Sequence, residues 1–175
     1  MLPRAAALLL LLVLTLWASS PRALAQDSWQ PTQQLNEQLA AATAQFWALL
    51  DARRFTEAYG QLAPGLQNQL TLEQFTDLMT TISEQGGAVS ARRHGRVTWY
   101  RKPDPNGVPT SFAAVDFLGT MERAELYCGY LLWHVPDEGG IGVLRVEQNF
   151  IPDQVRAKMT DEEVRKMTSA WRCMR

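Results

Sequence analysis

The feature that most constrains the fold is a run of strand-like segments in the second half of the chain. They span residues 111–118, 124–134 and 143–150. In the first segment Val115 and Phe117 lie on one side and Asp116 on the other, which is typical of a half-buried strand. The second is apolar on both sides over its later half, as in a central strand, and a Gly-rich turn at 136–140 leads to the third. The run predicts an antiparallel meander with one dry face and one largely wet face.

Helical patterns precede the strands. After the N-cap residue Thr32, one apolar stripe recurs at the helical period. Its members are Leu35, Leu39, Ala42, Phe46 and Leu49. A short helical piece covers residues 55–62, and a Pro-Gly pair at 64–65 interrupts the chain after it. A Thr-x-x-Gln capping box at 71–74 begins a third helix, which stops at the Gly-Gly pair at 86–87.

A basic strand and a final helix complete the pattern. Residues 88–102 combine apolar and aromatic groups with many basic ones, which predicts a strand with a solvated, arginine-rich side. The turn at 103–107 contains Asn-Gly and favours a hairpin. A second capping box at 160–163 precedes a short amphipathic helix that carries Trp171. Helices followed by a run of strands favour an α+β fold, with the helices packed on one face of an antiparallel sheet.

The first 25 residues predict a cleavable signal peptide. Arg4 supplies a positive charge, residues 5–18 form an apolar run that is short for a membrane span, and Ala23-Leu24-Ala25 is a cleavage site. We therefore expect a periplasmic or secreted protein with no stable membrane anchor after cleavage. The remaining predicted boundaries are a lead over residues 26–31, an α+β domain over residues 32–152 and a helical tail over residues 153–175.

Charge and cysteines narrow the choice of partners. Loss of Arg4 and Arg22 with the signal peptide changes the formal net charge from -1 to -3. This argues against a nucleic-acid partner, because nucleic-acid binders usually carry a marked basic excess. Cys128 and Cys173 remain, and an isolated pair in an oxidising compartment tends to be bridged; the alternative is a buried reduced Cys128 and an idle tail thiol. The bridge would close a loop of about 45 residues and stabilise the fold by roughly 4 kcal/mol.

No motif points to a cofactor, a metal or a nucleophile. His94 and His134 are the only histidines, and neither has a second ligand at a suggestive spacing. Walker, dinucleotide and G-x-S-x-G fingerprints do not occur in the sequence. Cys128 lies in an apolar strand, where nothing would stabilise a thiolate nucleophile. We expect neither a bound metal nor a cofactor.

Several segments carry a family resemblance. They are Phe46-Trp47-Ala48-Leu49-Leu50-Asp51, Phe55-Thr56-Glu57-Ala58-Tyr59, the strand Val115-Asp116-Phe117, the strand centred on Glu125 and the run at 147–151. Over residues 38–152 the chain resembles a family of exported bacterial domains catalogued as domain of unknown function 4019. The resemblance implies a nuclear-transport-factor-2-like or cystatin-like fold, in which a curved antiparallel sheet wraps a long helix. It implies no catalytic residues.

Two sets of residues are candidates for a site. The first could line the apolar pocket that such a fold implies and comprises Tyr59, Asp116, Tyr130 and His134. For Asp116 the alternative is a wet-face carboxylate that pairs across strands with an arginine. The second could bind an anion or a partner and comprises Arg92, Arg93, Arg96, Arg101 and Trp171. The alternatives there are gatekeeping charge on a sheet edge and, for Trp171, a helix that covers its own domain.

These observations favour a non-catalytic binding or interaction module of the bacterial envelope, with a protein partner or a small apolar ligand. The alternative is an enzyme that uses a cone-shaped apolar pocket for simple acid/base chemistry on a small molecule. A pocket lined by a buried Asp or His with a shifted pKa would favour the enzyme. A filled interior with an exposed aromatic or arginine surface would favour the binding module.

Overall fold

The computed structural model describes residues 29–103, 107–137 and 140–171. Its elements are α1 (Gln33–Asp51), α2 (Phe55–Tyr59), α3 (Pro64–Gln67), α4 (Leu72–Gly86), β1 (Val89–Pro103), β2 (Pro109–Met121), β3 (Ala124–Val135), β4 (Gly142–Phe150), α5 (Asp153–Arg156) and α6 (Asp161–Ala170). Helices precede a block of strands, and short helices follow it. The order confirms the predicted α+β class.

The four strands form one antiparallel sheet in the order β1-β2-β3-β4. The two segments predicted as a half-buried and a central strand are therefore the two interior strands, and the arginine-rich strand β1 is an edge. Each pair of neighbouring strands has at least one register shift. In β1 the shifts lie between Val89 and Ala91 and between His94 and Val97, and each of the other two pairs has one. Because such bulges bend and twist a strand, they curve the sheet.

Helix α1 packs on the face of the sheet that carries Val115 and Phe117, which we call the inner face. Thr32 caps the helix by accepting a hydrogen bond from the Leu35 backbone N–H, as predicted. The Phe46 ring, which is 0 % exposed, lies 6.1 Å from the Trp133 ring. Of the predicted stripe, Leu39, Phe46 and Leu49 are buried, whereas Leu35 and Ala42 are half-buried. Thr43, Trp47 and Leu50 are buried in addition.

The connection between α1 and β1 differs in part from the prediction. The helical piece predicted over residues 55–62 ends at Tyr59, because Leu62 instead forms a bridge with Val143 of β4. Pro64 does not interrupt helical structure but begins α3, where its missing N–H and fixed φ cost little. The capping box at the start of α4 is present on both sides, and Gly87 ends the helix with a φ of 78°.

The opposite, outer face of the sheet is less wet than predicted. Phe112, Leu118 and Leu132 are half-buried there, and Cys128 is 0 % exposed. Part of the reason is that α6, which begins with the predicted capping box at Thr160, brings its C-terminal end against this face. The C-terminal helix thus covers a surface of its own domain.

Some predictions lie outside the described residues. The signal peptide over residues 1–25, the centre of the predicted turn at 104–106 and Cys173 all belong to this group. In the segments that the structure does describe, no helix has the length and apolar character needed to cross a membrane.

Candidate functional site

A cavity of about 580 Å³ lies between the outer face of the sheet and the end of α6. We call it the outer groove. Its lining includes Arg96, Tyr100, Asp116, Tyr130, Arg145, Glu147 and Trp171. Four of the residues singled out from the sequence, Arg96, Asp116, Tyr130 and Trp171, therefore meet at one place, although they were assigned to two separate sets.

Strand register brings the charged groups of the outer groove together. Asp116 of β2 lies opposite Tyr130 of β3, which in turn lies opposite Glu147 of β4. The Nε atom of Arg96 is 3.8 Å from an Asp116 carboxylate oxygen, so the cross-strand pairing proposed for that carboxylate is present. Arg145 donates to Glu147 over 2.7 Å, and its guanidinium carbon lies 5.6 Å from the centre of the Tyr130 ring.

Partial burial raises the pKa of three side chains in the outer groove. Partial burial raises the pKa of Asp116, and the nearby Arg96 opposes that shift. Burial also raises the pKa of Tyr100, with a further contribution from the Asp116 charge. The pKa of Tyr130 is raised by burial first and by the neighbouring Glu147 second. All three shifts favour the neutral form of the side chain, as expected where water is partly excluded.

The other two candidates for an apolar pocket lie elsewhere. The Tyr59 ring is 5.8 Å from the Phe75 ring, and its hydroxyl donates to the Leu70 carbonyl over 2.9 Å. His134 lies near the C-terminal end of β3, where its Nε2 atom is 3.1 Å from the hydroxyl oxygen of Thr110 in β2. Tyr59 and His134 therefore do not share a cavity with Asp116 and Tyr130.

The arginines predicted as one patch are divided between the two faces of β1. Strict alternation from Val97 would put Arg93 on the inner side and Arg92 in solvent. The register shift between His94 and Val97 inserts one extra residue, so that Arg92 faces inward instead. The Arg92 side chain is only 9 % exposed, which corrects the prediction that it is solvated.

Arg101 also lies apart from the outer groove. Its guanidinium pairs with Asp137 and lies 5.4 Å from the centre of the Trp29 ring. Arg93 remains exposed on the outer side of β1, opposite Leu118 of β2. The predicted basic patch is thus not a single surface.

A partly buried polar network on the inner face, centred on the buried Arg92 and Tyr127, was missed by sequence reasoning. Arg92 donates to both carboxylate oxygens of Asp51, over 2.8 and 3.0 Å, and to the Tyr127 hydroxyl over 3.3 Å. The Tyr127 hydroxyl in turn donates to the side-chain oxygen of Gln148. The Trp47 ring lies against the guanidinium, with 4.1 Å between its centre and the Arg92 Cζ atom, as in a cation–π contact.

Two members of this network have a raised pKa. Burial would lower the pKa of Arg92, but the Asp51 hydrogen bonds and the Tyr127 and Asp51 charges outweigh it and raise the pKa. Burial raises the pKa of Tyr127 to about 12, although Arg92 opposes the shift. One sequence signal was available: Tyr127 is in phase with the dry face of its strand, and a buried tyrosine hydroxyl usually needs a partner.

A second cavity, of about 240 Å³, lies beside this network at the end of α1. We call it the inner cavity. Its polar lining includes Asp51, Arg53, Arg92, Tyr127 and Gln148, and its apolar lining includes Leu50, Phe55, Met79, Ile82 and Met121. Within the described segments, no three His, Cys, Asp or Glu side chains come together as metal ligands.

Comparison with known proteins gives one family match. A family model described as "Protein of unknown function (DUF4019)" matches residues 41–141. No curated protein matches the chain. Among solved structures the chain is similar to Aln2 from a Streptomyces species, with 12% sequence identity and a TM-score of 0.44, over 74% of this chain and 98% of that one.

Proposed function

The chain belongs to the DUF4019 family, and we propose that it is a non-catalytic binding module whose outer groove receives an extended peptide segment of a partner protein. The observation that carries this proposal is the meeting of three aromatic rings with two pairs of opposite charges in one groove. The volume of about 580 Å³ lies within the range of about 300–1,000 Å³ that is usual for binding sites.

The rings of Tyr100, Tyr130 and Trp171 supply the contact surface. Tyrosine and tryptophan contribute most of the energy in many interfaces, because they bury a large area and keep a polar end. Tyr100 is 42% exposed although it is a large aromatic side chain. A partner that covers this ring would gain the free energy of burying it.

The charges of the outer groove orient the occupant rather than attract it. Two arginines and two carboxylates line the groove, so their formal charges cancel. The Arg96 and Arg145 side chains are 67% and 60% exposed, and exposed ion pairs contribute only about 0–1 kcal/mol. A bound peptide can therefore exchange partners with either pair at little cost, and its affinity should depend only weakly on salt.

The test is selection of peptides from a random library against the protein expressed from its full coding sequence. We expect Trp171→Ala to lower the affinity for the selected peptides by roughly tenfold or more, as for an interface tryptophan. Met167→Ala is the matched control, because Met167 is an exposed apolar residue of the same helix and does not line the groove. Equal binding to both variants, or no peptide selected above background, would contradict the proposal.

The alternative function, acid/base chemistry, is favoured by one observation, the raised pKa of Asp116 beside the Tyr130 phenol. Asp116→Asn distinguishes the two functions, because acid/base chemistry would need this carboxylate whereas peptide binding would not. In a binding module the substitution removes one exposed ion pair, so peptide affinity should change by roughly fivefold at most. Selected peptides that fail to bind Asp116→Asn would count against our proposal.

We further propose that the protein acts in the bacterial envelope and carries a disulfide bond between Cys128 and Cys173. Cys128 is fully buried on the outer face. Trp171 lines the same groove as Tyr130, and Tyr130 lies two residues after Cys128 in β3. The chain two residues before Cys173 is thus near Cys128. A bond there would hold α6 in place as one wall of the groove.

Mass spectrometry of exported protein tests the disulfide. We expect one cross-linked peptide pair that contains Cys128 and Cys173 and separates on reduction. Alkylation of both thiols in denaturant without reductant would exclude the bond. Retention of residues 1–25 in the purified protein would exclude signal cleavage.

A further inference from the structure

The polar network of the inner cavity has spare hydrogen-bond donors. Both carboxylate oxygens of Asp51 and the side-chain oxygen of Gln148 already accept hydrogen bonds. The Arg92 Nε atom has no hydrogen-bond partner among the described residues, but it is completely buried and is therefore closed to a ligand in the cavity. In contrast, the Gln148 side chain lines the cavity. Among the described residues its nitrogen donates only to the Met79 thioether, over 3.5 Å, and sulfur is a weak acceptor. A ligand that fits this network must therefore bring acceptor oxygens, because buried donors without partners cost free energy.

Arg53 adds a positive charge at the edge of the same cavity. Its φ of 57° is the only positive φ of a non-glycine residue in the described part of the chain. Arg53 directly follows the C-cap of α1, and the N–H groups of Arg53 and Arg54 donate to the carbonyls of Leu50 and Leu49. This left-handed backbone is therefore the common end of a helix, at a position that favours glycine. Within the described segments the Arg53 side chain forms no ion pair. The ionisable lining, with Arg123 and Glu122 included, then carries three positive and two negative charges.

The remaining walls of the inner cavity are apolar. Leu50, Phe55 and Met79 are buried, and Ile82 is half-buried. The volume of about 240 Å³ corresponds to roughly eight water-sized groups. An occupant that satisfies both kinds of wall has an anionic head and a short apolar body.

We propose that the inner cavity binds a small organic carboxylate. Its carboxylate oxygens accept a hydrogen bond from the Gln148 amide and face the Arg53 guanidinium. Its hydrocarbon part lies against Leu50 and Met79. This site is separate from the outer groove, since Arg92 and Tyr127 lie on the inner face of the sheet.

The test is titration of the full-length protein with hexanoate, followed by tryptophan fluorescence and thermal unfolding. Trp47 lies against Arg92 and reports on the cavity. We expect saturable binding of hexanoate and a rise in Tm, because a ligand that binds only the native state stabilises it. Hexan-1-ol, which lacks the carboxylate, should bind at least tenfold more weakly. Inorganic phosphate should not bind detectably, because it leaves the apolar walls unfilled.

Two variants separate loss of the site from loss of the fold. Arg53→Gly removes the guanidinium and relieves the unfavourable φ, so the affinity for hexanoate should fall at least fivefold while the Tm of the unliganded protein does not. Gln148→Glu keeps an acceptor for Tyr127 but adds a negative charge, so hexanoate binding should be lost. Arg93→Ala is the charge-matched control for Arg53, since Arg93 is exposed on the outer side, and it should bind as the wild type does.

Three results would overturn the proposal. The first is no saturable binding of hexanoate to the wild-type protein. The second is unchanged affinity in both Arg53→Gly and Gln148→Glu. The third is binding of phosphate as tight as that of hexanoate, which would mean a site for inorganic oxyanions instead of an organic carboxylate.

Discussion

The stability of the protein at alkaline pH should depend on Tyr127. This residue is 0 % exposed, accepts a hydrogen bond from Arg92 and donates one to Gln148. Burial raises its pKa from 10.0 to about 12, and Arg92 only partly opposes the shift. We therefore compare the wild-type protein with Tyr127→Phe, which keeps the ring and removes the proton.

The magnitude follows from the pKa difference. The folded-state pKa is raised, so the unfolded chain loses this proton first as the pH rises. The contribution of Tyr127 is therefore fully present below pH 10.0 and is lost between pH 10.0 and about 12. A shift of one pKa unit corresponds to about 1.4 kcal/mol, which gives a loss of roughly 3 kcal/mol over this range. At neutral pH, Tyr127→Phe should cost about 1 kcal/mol, because the hydrogen bonds of the hydroxyl are lost.

The assay is urea unfolding of both proteins at a series of pH values from neutral to about 12. The free energy of unfolding of the wild-type protein should fall below that of Tyr127→Phe before the highest pH is reached. Tyr100 and Tyr130, whose pKa values are also raised, are present in both proteins, so their contributions cancel in the comparison. Parallel stability curves above pH 10.0 would refute the reasoning, because Tyr127 would then ionise equally in both states.

Three further substitutions test the packing and the caps by the free energy of urea unfolding. Phe46→Ala, at a residue that is 0 % exposed, should cost about 3–5 kcal/mol, and a cost below about 1 kcal/mol would mean that α1 does not pack on the sheet. Gly129→Ala should cost about 3 kcal/mol or more, because its Cβ would lie 1.9 Å from the Glu147 carbonyl oxygen; a stable variant would exclude this close approach of β3 and β4. Thr71→Ala should cost about 1 kcal/mol by loss of the capping box, whereas the exposed Thr81→Ala should change stability by less than about 0.5 kcal/mol, and equal effects would refute the role of the cap.

Local signals in the sequence were enough for most of the architecture. Thr32, Thr71 and Thr160 each cap a helix. In each case the side-chain oxygen accepts a hydrogen bond from a free backbone N–H in the first turn, and this contact does not depend on the tertiary context. The alternation around Val115 predicts its face because a strand has a period of two. The helix caps and the strand alternation depend only on residues close together in the chain. The class of the fold follows from the order of these elements.

The parts of the site that the sequence did not predict depend on distant contacts. Arg92 is buried because of a one-residue bulge, and a bulge leaves no clear trace in the amino-acid pattern. Its partner Asp51 ends a helix whose position on the sheet is set by tertiary packing. The outer groove exists because α6 returns to the sheet, and the amphipathic pattern of that helix does not say which surface it covers.

The position of a bound peptide tests the proposed function most directly. A peptide selected against the wild-type protein is titrated into isotope-labelled protein, and backbone amide shifts are followed by NMR. We predict that the largest changes lie at Asp116, Tyr130 and Glu147, which line the outer groove. Changes concentrated at Arg92 and Tyr127 of the inner cavity, with the outer groove unaffected, would contradict the assignment of the outer groove as the binding surface.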